Sequence, residues 1–321
     1  MKKSVMMLFI AMLGVFVLAG CGSDGNENAS GEAADTNDEK VEDDNSKDAN
    51  TDLGDFEVEL GGTVTEEGDV FVIEGTSNLL PGARVVGEVW LEEDEREPFA
   101  NSTELVEEDG TFTMELEHHQ YGEAEIVIKF DLNGVQDDGI KRHYGERGQN
   151  LKGPFIYKHK EFDGIFKKAE ARILYEPNEQ TELVFQAPDW YELPDDYGDP
   201  RVWIEVDEII EDGEFFYLTG RSNLLEGSEL RVEYRYNRDK TQVKPDGSFD
   251  FKVPYEYLED RDFVITFDPS NFQWNEIEEA YGKNGQKLVG DLVQQNRYNA
   301  DKQFIEKRIP WDEESDANEE E

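Results

Sequence analysis

A basic stretch in the second half of the chain carries the side chains best suited to binding chemistry. Within LRVEYRYNRDKTQVK, residues 230–244, the basic residues are Arg231, Arg235, Arg238, Lys240 and Lys244. Guanidinium and ammonium groups bind carboxylates and phosphates through charge-assisted hydrogen bonds. The stretch is therefore a candidate patch for an anionic ligand, such as a wall polymer or a lipid head group.

Two interpretations of this basic stretch are open. Period-two alternation predicts a strand in which Arg231 and Arg235 lie on the face opposite Tyr234 and Tyr236. There they either bind an external anion or neutralise acidic neighbours of the same protein, including an acidic loop in the first half of the chain. The formal net charge of −46 favours internal neutralisation.

Residues that could carry catalysis or hold a metal are sparse. The four histidines are His118, His119, His143 and His159. Because His118 and His119 are adjacent in a strand pattern, their side chains point to opposite faces and cannot bind one ion together. The sequence has no G-x-S-x-G or H-E-x-x-H signature, and its carboxylates are too many to rank as a catalytic pair. We predict no catalytic residue, no metal site and no cofactor.

The first residues, MKKSVMMLFIAMLGVFVLAGC, have the pattern of a secretory signal. Lys2 and Lys3 precede an apolar run that is too short and wrongly flanked for a membrane-spanning helix. The run ends in Leu18-Ala19-Gly20-Cys21, which resembles the lipobox of bacterial lipoproteins. The resemblance implies cleavage after Gly20 and a diacylglyceryl thioether on Cys21. The mature chain would then be anchored in the lipid bilayer, on the extracytoplasmic face of the cell membrane.

Composition divides the ends of the chain from its body. Cys21 is the only cysteine, so no intramolecular disulfide can form. Residues 21–54 are acidic and nearly without large aliphatic side chains, and we expect a disordered tether because such a segment cannot bury enough apolar surface to fold. Residues 312–321 form an acidic tail that we also expect to be disordered. The acidity argues against a nucleic-acid partner.

The body of the chain contains an internal repeat. GTSNLL at 75–80 returns as GRSNLL at 220–225, and YGERGQNLKG at 144–153 returns as YGKNGQKLVG at 281–290. The spacing between copies shortens by eight residues from the first pair of motifs to the second, so the first copy has an insertion between Gly82 and Asp109. A duplication explains both matches.

Each copy shows short runs with apolar residues at every second position, separated by turn signals. One apolar and one polar face is the requirement of a sheet that is covered on one side. Two such sheets packed face to face form a sandwich, and the strand spacing is similar to that of immunoglobulin domains. We predict an all-β protein with two tandem immunoglobulin-like β-sandwich domains.

The predicted boundaries follow from these patterns. Residues 1–20 are the signal peptide, residues 55–185 are domain 1, and residues 186–311 are a linker with domain 2. The proline-containing segment 186–200 is the linker itself. Within domain 2, NEIEEAYG at 275–282 predicts a short helix in which Asn275 is the cap and Glu278 completes a capping box. The region 162–175 fits either a helix or a strand.

Both repeated motifs are better explained by the fold than by a ligand. In SNLL we expect the leucines to plug an apolar edge and the following glycine to occupy a type II turn. The tyrosine and glycines of the second motif fit a pinned loop, since the order of a phosphate-binding loop is absent.

We therefore predict a non-enzymatic binding or interaction module at the cell envelope, with an envelope protein or wall polymer as its partner. The alternatives are an extracytoplasmic hydrolase that uses dispersed carboxylates and an envelope spacer without a specific ligand. The basic patch belongs to the first of these three interpretations.

Overall fold

The structure, a computed structural model, describes residues 52–91, 97–118, 122–162, 164–177, 182–255 and 261–311. The predicted signal peptide, Cys21, most of the predicted tether and the acidic tail lie outside the described residues. No helix in the described ranges is long and apolar enough to cross a membrane. The last residues of the predicted tether already contact the folded part, because the Gly54 N–H donates to the Asn78 carbonyl at 2.7 Å.

The described residues of the first copy, between positions 55 and 185, form nine strands and one short helix. In chain order these are β1 (Leu60–Glu67), β2 (Val70–Ser77), β3 (Arg84–Leu91), β4 (Ala100–Leu105), β5 (Thr111–Glu117), β6 (Ala124–Asp131), α1 (Asp138–Tyr144), β7 (Ile156–Glu161), β8 (Gly164–Tyr175) and β9 (Glu182–Val184). The strands form two antiparallel sheets with the spatial orders β5-β2-β1-β9 and β4-β3-β6-β8-β7. The ambiguous region 162–175 is thus mostly strand.

The second copy, residues 201–311, repeats this arrangement. Its elements are β10 (Ile204–Glu211), β11 (Phe215–Ser222), β12 (Glu229–Tyr234), β13 (Asn237–Gln242), β14 (Ser248–Pro254), β15 (Arg261–Phe267), α2 (Asn275–Tyr281), β16 (Val293–Gln295) and β17 (Gln303–Trp311). The sheets have the orders β10-β11-β14 and β13-β12-β15-β17-β16. Strand for strand this is the order of the first copy, except that β9 has no counterpart among the described residues.

In each copy the two sheets pack against a common apolar core. The residues predicted to share the inner faces are buried, among them Phe71 and Ile73 in β2 and their counterparts Phe216 and Leu218 in β11. Each core contains side chains from both sheets of its copy. The predicted all-β fold, the sandwich and the repeat are confirmed. The inserted residues fall at the end of β3 and in the connection to β4, inside the predicted interval.

The two repeated motifs contact each other. The Leu80 N–H donates to the Tyr144 hydroxyl at 2.9 Å, and the Leu225 N–H donates to the Tyr281 hydroxyl at 3.1 Å. Gly148 adopts φ 70° and a side chain at this position would collide with the Lys167 carbonyl. Both motifs therefore stabilise the fold, as the sequence predicted.

One local detail differs from the expectation. Helix α2 forms where predicted, but its N-cap is Trp274 and no side chain caps it, so the predicted capping box of Asn275 and Glu278 is wrong. In the first copy the same position is Asp137, whose carboxylate accepts from the Gly139 N–H at 2.7 Å. In the second copy this position holds a buried tryptophan, whose side chain packs in the core and cannot accept a hydrogen bond from the first turn of the helix.

Candidate functional site

The outer face of the five-stranded sheet in the second copy carries a concave surface that we call the outer groove. It has a volume of about 790 Å³. Its lining combines polar side chains of both charges with a few apolar ones, namely Glu229, Arg231, Val232, Glu233, Arg238, Asp239, Lys240, Val264, Thr266, Asp268, Asn271, Gln273, Asn296 and Phe304. A volume of several hundred cubic ångströms is typical of ligand-binding clefts.

The register of the strands sets out these side chains in rows across the sheet. Arg231 of β12 lies opposite Lys240 of β13 on one side and opposite Thr266 of β15 on the other. In the next row, Glu233 of β12 lies between Arg238 of β13 and Val264 of β15. Because successive side chains in a strand alternate between faces, both rows point away from the core.

The structure brings together three of the five residues of the predicted basic patch. Arg231, Arg238 and Lys240 line the outer groove, whereas Lys244 and Arg235 are not among its lining residues. Lys244 forms an ion pair with Asp250 of β14, on the other sheet. The predicted patch is therefore not one continuous surface.

The two arginines of the groove are paired with acids of their own copy. Arg231 contacts Glu229 at 2.6 Å, and Arg238 contacts Glu233 at 3.2 Å. In the orientation of the Asn271 amide that satisfies both of its polar atoms, its oxygen also accepts from Arg231 at 2.8 Å. These contacts support internal neutralisation, the interpretation that the net charge favoured.

Arg235 does not lie in a strand, and this prediction was wrong. It is the first of the two residues that connect β12 to β13, with φ 58°, in a position of the hairpin that ordinarily selects glycine. Its guanidinium carbon lies 4.8 Å from the centre of the Tyr236 ring. Tyr236 is 78% exposed and does not share the buried face of Tyr234. The strand ends at Tyr234, so the alternation of faces no longer applies to Tyr236, which is the second residue of the turn.

Two further exposed aromatic side chains belong to loops that reach the other end of the groove. Phe272 is 83% exposed with φ 56°, and both of its neighbours in the chain line the groove. Tyr298 is 90% exposed and lies two residues from the lining residue Asn296. The two loops touch, because Lys302 Nζ donates to the Ser270 hydroxyl at 3.1 Å.

A buried glutamine fixes the loop that carries Phe272. The Gln273 Oε1 accepts from the Glu229 N–H at 2.8 Å, and its Nε2 donates to the Glu229 carbonyl at 3.0 Å. In the first copy Gln136 makes the same pair of bonds to Arg84, at 2.9 and 2.8 Å. The signal in the sequence was an aspartate followed five residues later by glutamine in both copies, at Asp131 and Asp268.

A charge network on the outer face is also repeated. In β8, Arg172 Nε donates to Glu170 at 2.7 Å, and its guanidinium reaches Glu125 of β6 at 2.6 Å. In β17, Arg308 Nε donates to Glu306 at 2.9 Å, and its guanidinium lies 3.8 Å from Asp262 of β15. The register places the two networks at equivalent positions of the two sheets.

The two copies differ in what covers this network. Glu170 is only 2% exposed, whereas the Glu306 side chain is 22% exposed. Beside Glu170, the ring of Tyr157 in β7 packs edge-on against Trp190 of the linker, with ring centres 5.4 Å apart. Burial, and then the negative charge of Glu170, raises the pKa of Tyr157 to about 12. The Glu170 carboxylate is therefore covered in the first copy, whereas the equivalent carboxylate in the second copy is partly open to solvent. The two arginines are both exposed, Arg172 to 47% and Arg308 to 58%.

The linker holds the two copies together. The indole N–H of Trp190 donates to the Pro154 carbonyl of the first copy at 2.6 Å. The next residue, Tyr191, donates its main-chain N–H to the Asp246 carboxylate of the second copy at 3.1 Å. Segment 186–200 therefore packs against both copies instead of only separating them.

The three histidines that the structure describes lie apart and do not form a common site. His118 is buried and stacks on Phe71 with ring centres 4.0 Å apart, and His119 lies outside the described residues. His143 contacts the Gly54 carbonyl, and His159 contacts Asp131 at 3.2 Å. In the part of the chain that the structure describes, no group of three or more potential ligands is arranged to hold a metal ion. The absence of catalytic, metal and cofactor sites stays a prediction.

No family model and no curated protein matches the sequence. Among solved structures, one match comes from work on the host cell surface retention of a 1.5-MDa bacterial ice-binding adhesin. The two are 10% identical with a TM-score of 0.21, and the match covers 75% of this chain and 56% of that one. A likeness this low carries no inference about function.

Proposed function

We propose that the protein is a lipid-anchored, extracytoplasmic binding module of the cell envelope, built from two tandem immunoglobulin-like sandwiches and without enzymatic activity. The observation that carries the proposal is the contrast between the two outer faces. The Glu170 carboxylate is buried, whereas the equivalent Glu306 carboxylate is partly exposed to solvent beside the outer groove.

The chemistry of the groove supports binding more than catalysis. Its carboxylates Glu229 and Glu233 are each paired with an arginine, so neither is free to act as a general acid or base. Paired charges of this kind still have unused donors and acceptors that can bind a polar ligand. The open face therefore offers many hydrogen-bonding positions without a reacting group.

Anchoring rests on the sequence of the leader. Two acyl chains on Cys21 would hold the chain on a bilayer, at about 0.8 kcal/mol for each buried methylene. The acidic segment that follows would space the sandwiches from the surface, since its like charges repel one another.

The experiment combines localisation with binding. Replacing Cys21→Ala should let a detergent-free high-salt wash extract the full chain from the envelope, and Cys21→Ser, the polar counterpart, should give the same result. The released protein should sediment again with isolated cell envelopes at low salt. Extraction of the Cys21→Ala protein only by detergent would contradict the lipid anchor, and failure of the released protein to bind envelopes would contradict the binding function.

A further inference from the structure

We infer that the outer groove binds an extended, uncharged glycan chain. The inference rests on the proposed binding function and names the ligand class of the same site. It depends on three features of this face: exposed aromatic side chains in the turn and loops beyond both ends of β12, a strained backbone at one of these aromatics, and nearly balanced charge along the groove floor.

The first feature is the spacing of the aromatic side chains. Tyr236 lies in the hairpin at one end of β12, whereas the loops of Phe272 and Tyr298 lie at the other end, since Leu230 pairs with Phe267. β12 has six residues, so the two ends are separated by about 20 Å. A ligand that reaches both ends must be extended and run along the strands.

The second feature is the conformation of Phe272. A non-glycine residue with φ 56° is in the left-handed region, and a large exposed aromatic in this conformation is strained without any gain from burial. Val135, at the equivalent position of the first copy, is also exposed but does not have a positive φ. Such strain is typical of functional positions, and a ring held in solvent can stack on the apolar face of a sugar.

The third feature is the charge of the groove floor. The lining contains four acidic residues and three basic ones, in a protein whose net charge is −46. Arg231 and Arg238 already contact carboxylates of the protein, so an anionic polymer would have to displace these carboxylates to bind the arginines. Uncharged hydroxyl and amide groups can instead use the remaining donors and acceptors of these planar side chains, together with Asn296 and Thr266.

The test uses the released full chain and isolated envelopes divided into fractions. One fraction is digested with protease, one is treated with cold hydrofluoric acid to remove phosphate-linked polymers, and one receives both treatments, which leaves the glycan. Co-sedimentation is measured for the unaltered groove, for the double variant Phe272→Ala/Tyr298→Ala and for the control Val135→Ala. All three replaced side chains are exposed, and thermal unfolding checks that each variant is folded.

We expect the doubly treated glycan fraction to retain binding, with affinity lowered at least tenfold by Phe272→Ala/Tyr298→Ala and unchanged by Val135→Ala. Loss of binding after protease alone would show a protein partner, and loss after hydrofluoric acid alone would show a phosphate polymer. Either result overturns the glycan inference but keeps the proposed binding function. Absence of binding to untreated envelopes would overturn both.

Discussion

Arg308 Nε donates a hydrogen bond to Glu306 at 2.9 Å on the open outer face of the second copy. In the equivalent bond of the first copy, from Arg172 to Glu170 at 2.7 Å, the carboxylate is only 2% exposed. The same pair of residue types therefore has two different environments in one chain. This contrast separates the structural copy of the face from the one that we propose to bind a ligand.

The buried pair should contribute much more to stability than the open one. Replacing Glu170→Gln removes the buried carboxylate that Lys168 and Arg172 share and should lower the free energy of unfolding by about 1.5–3 kcal/mol, the range for hydrogen bonds to charged groups. Replacing Glu306→Gln should lower it by about 1 kcal/mol or less, because its partner is exposed to solvent. Urea unfolding of both variants measures the difference, and equal losses would contradict the assigned environments.

The contribution of Glu170 should depend on pH. Burial alone would raise its pKa, but the charges of Lys168 and Arg172 hold it below the usual 4.5. A lowered pKa in the folded state means that the stabilisation is present above pH 4.5 and is lost as the pH falls through the folded value. The stability difference between Glu170→Gln and the unaltered protein should therefore be full at pH 7 and shrink in acid.

Glu226, at the junction of the two copies, should show the opposite dependence. Its carboxylate accepts from the Lys158 N–H at 2.6 Å, and burial raises its pKa above the usual value. A raised carboxyl pKa destabilises the folded state above that pKa, and the cost disappears as the pH falls toward 4.5. Glu226→Gln should be at least as stable as the unaltered protein at pH 7, and its advantage should vanish near pH 4.5. A constant difference across this range would contradict the assignment.

The tyrosines of the repeated motif should stabilise the two copies by similar amounts. Tyr281→Phe removes the hydroxyl that accepts from the Leu225 N–H and should cost about 1–2 kcal/mol. Tyr144→Phe should behave alike, because its hydroxyl accepts from Leu80. Tyr298→Phe is the control, and as an exposed position it should change the unfolding free energy by about 0.5 kcal/mol or less. A loss in only one copy would show that the motif serves different purposes.

Phe272 should lower the stability of the fold and strengthen binding to the envelope. Phe272→Gly relieves the left-handed conformation and should stabilise the fold by about 0.5–1 kcal/mol, after the entropy of glycine is subtracted. The same variant should bind envelopes more weakly. Val135→Gly, without a positive φ to relieve, should be destabilising, and denaturant unfolding distinguishes the two. If Phe272→Gly were destabilising as well, its conformation would not be strained.

The sequence predicted the repeat and the inner faces because both depend on local alternation. Phe71, Ile73, Phe216 and Leu218 are buried as their spacing indicated, since a strand with one covered face must alternate. Alternation could not predict that Arg235 lies in a turn. The two turn residues are polar and aromatic like their neighbours in the strands, so the sequence does not show where the strand ends. The extent of each element was predictable only where the pattern was uninterrupted.

The outer groove could not be predicted, because it depends on which side chains meet across strands far apart in the sequence. Glu170-x-Arg172 and Glu306-x-Arg308 were a visible signal, but the first lies in a region that fitted helix and strand equally. What buries Glu170 is set by the path of the linker over Tyr157, which no local pattern encodes. The exposed aromatics Phe272 and Tyr298 lie in loops, where hydrophobicity predicts nothing.

The most direct test of the central claim, that the open face of the second copy is the binding surface, compares two threonines. Thr266 lies in the outer groove, whereas Thr219 is exposed on β11 of the three-stranded sheet. The released full chain is measured for binding to isolated envelopes with Thr266→Arg and with Thr219→Arg. We predict that Thr266→Arg weakens binding at least tenfold while Thr219→Arg leaves it unchanged. Equal binding by both variants would contradict the claim.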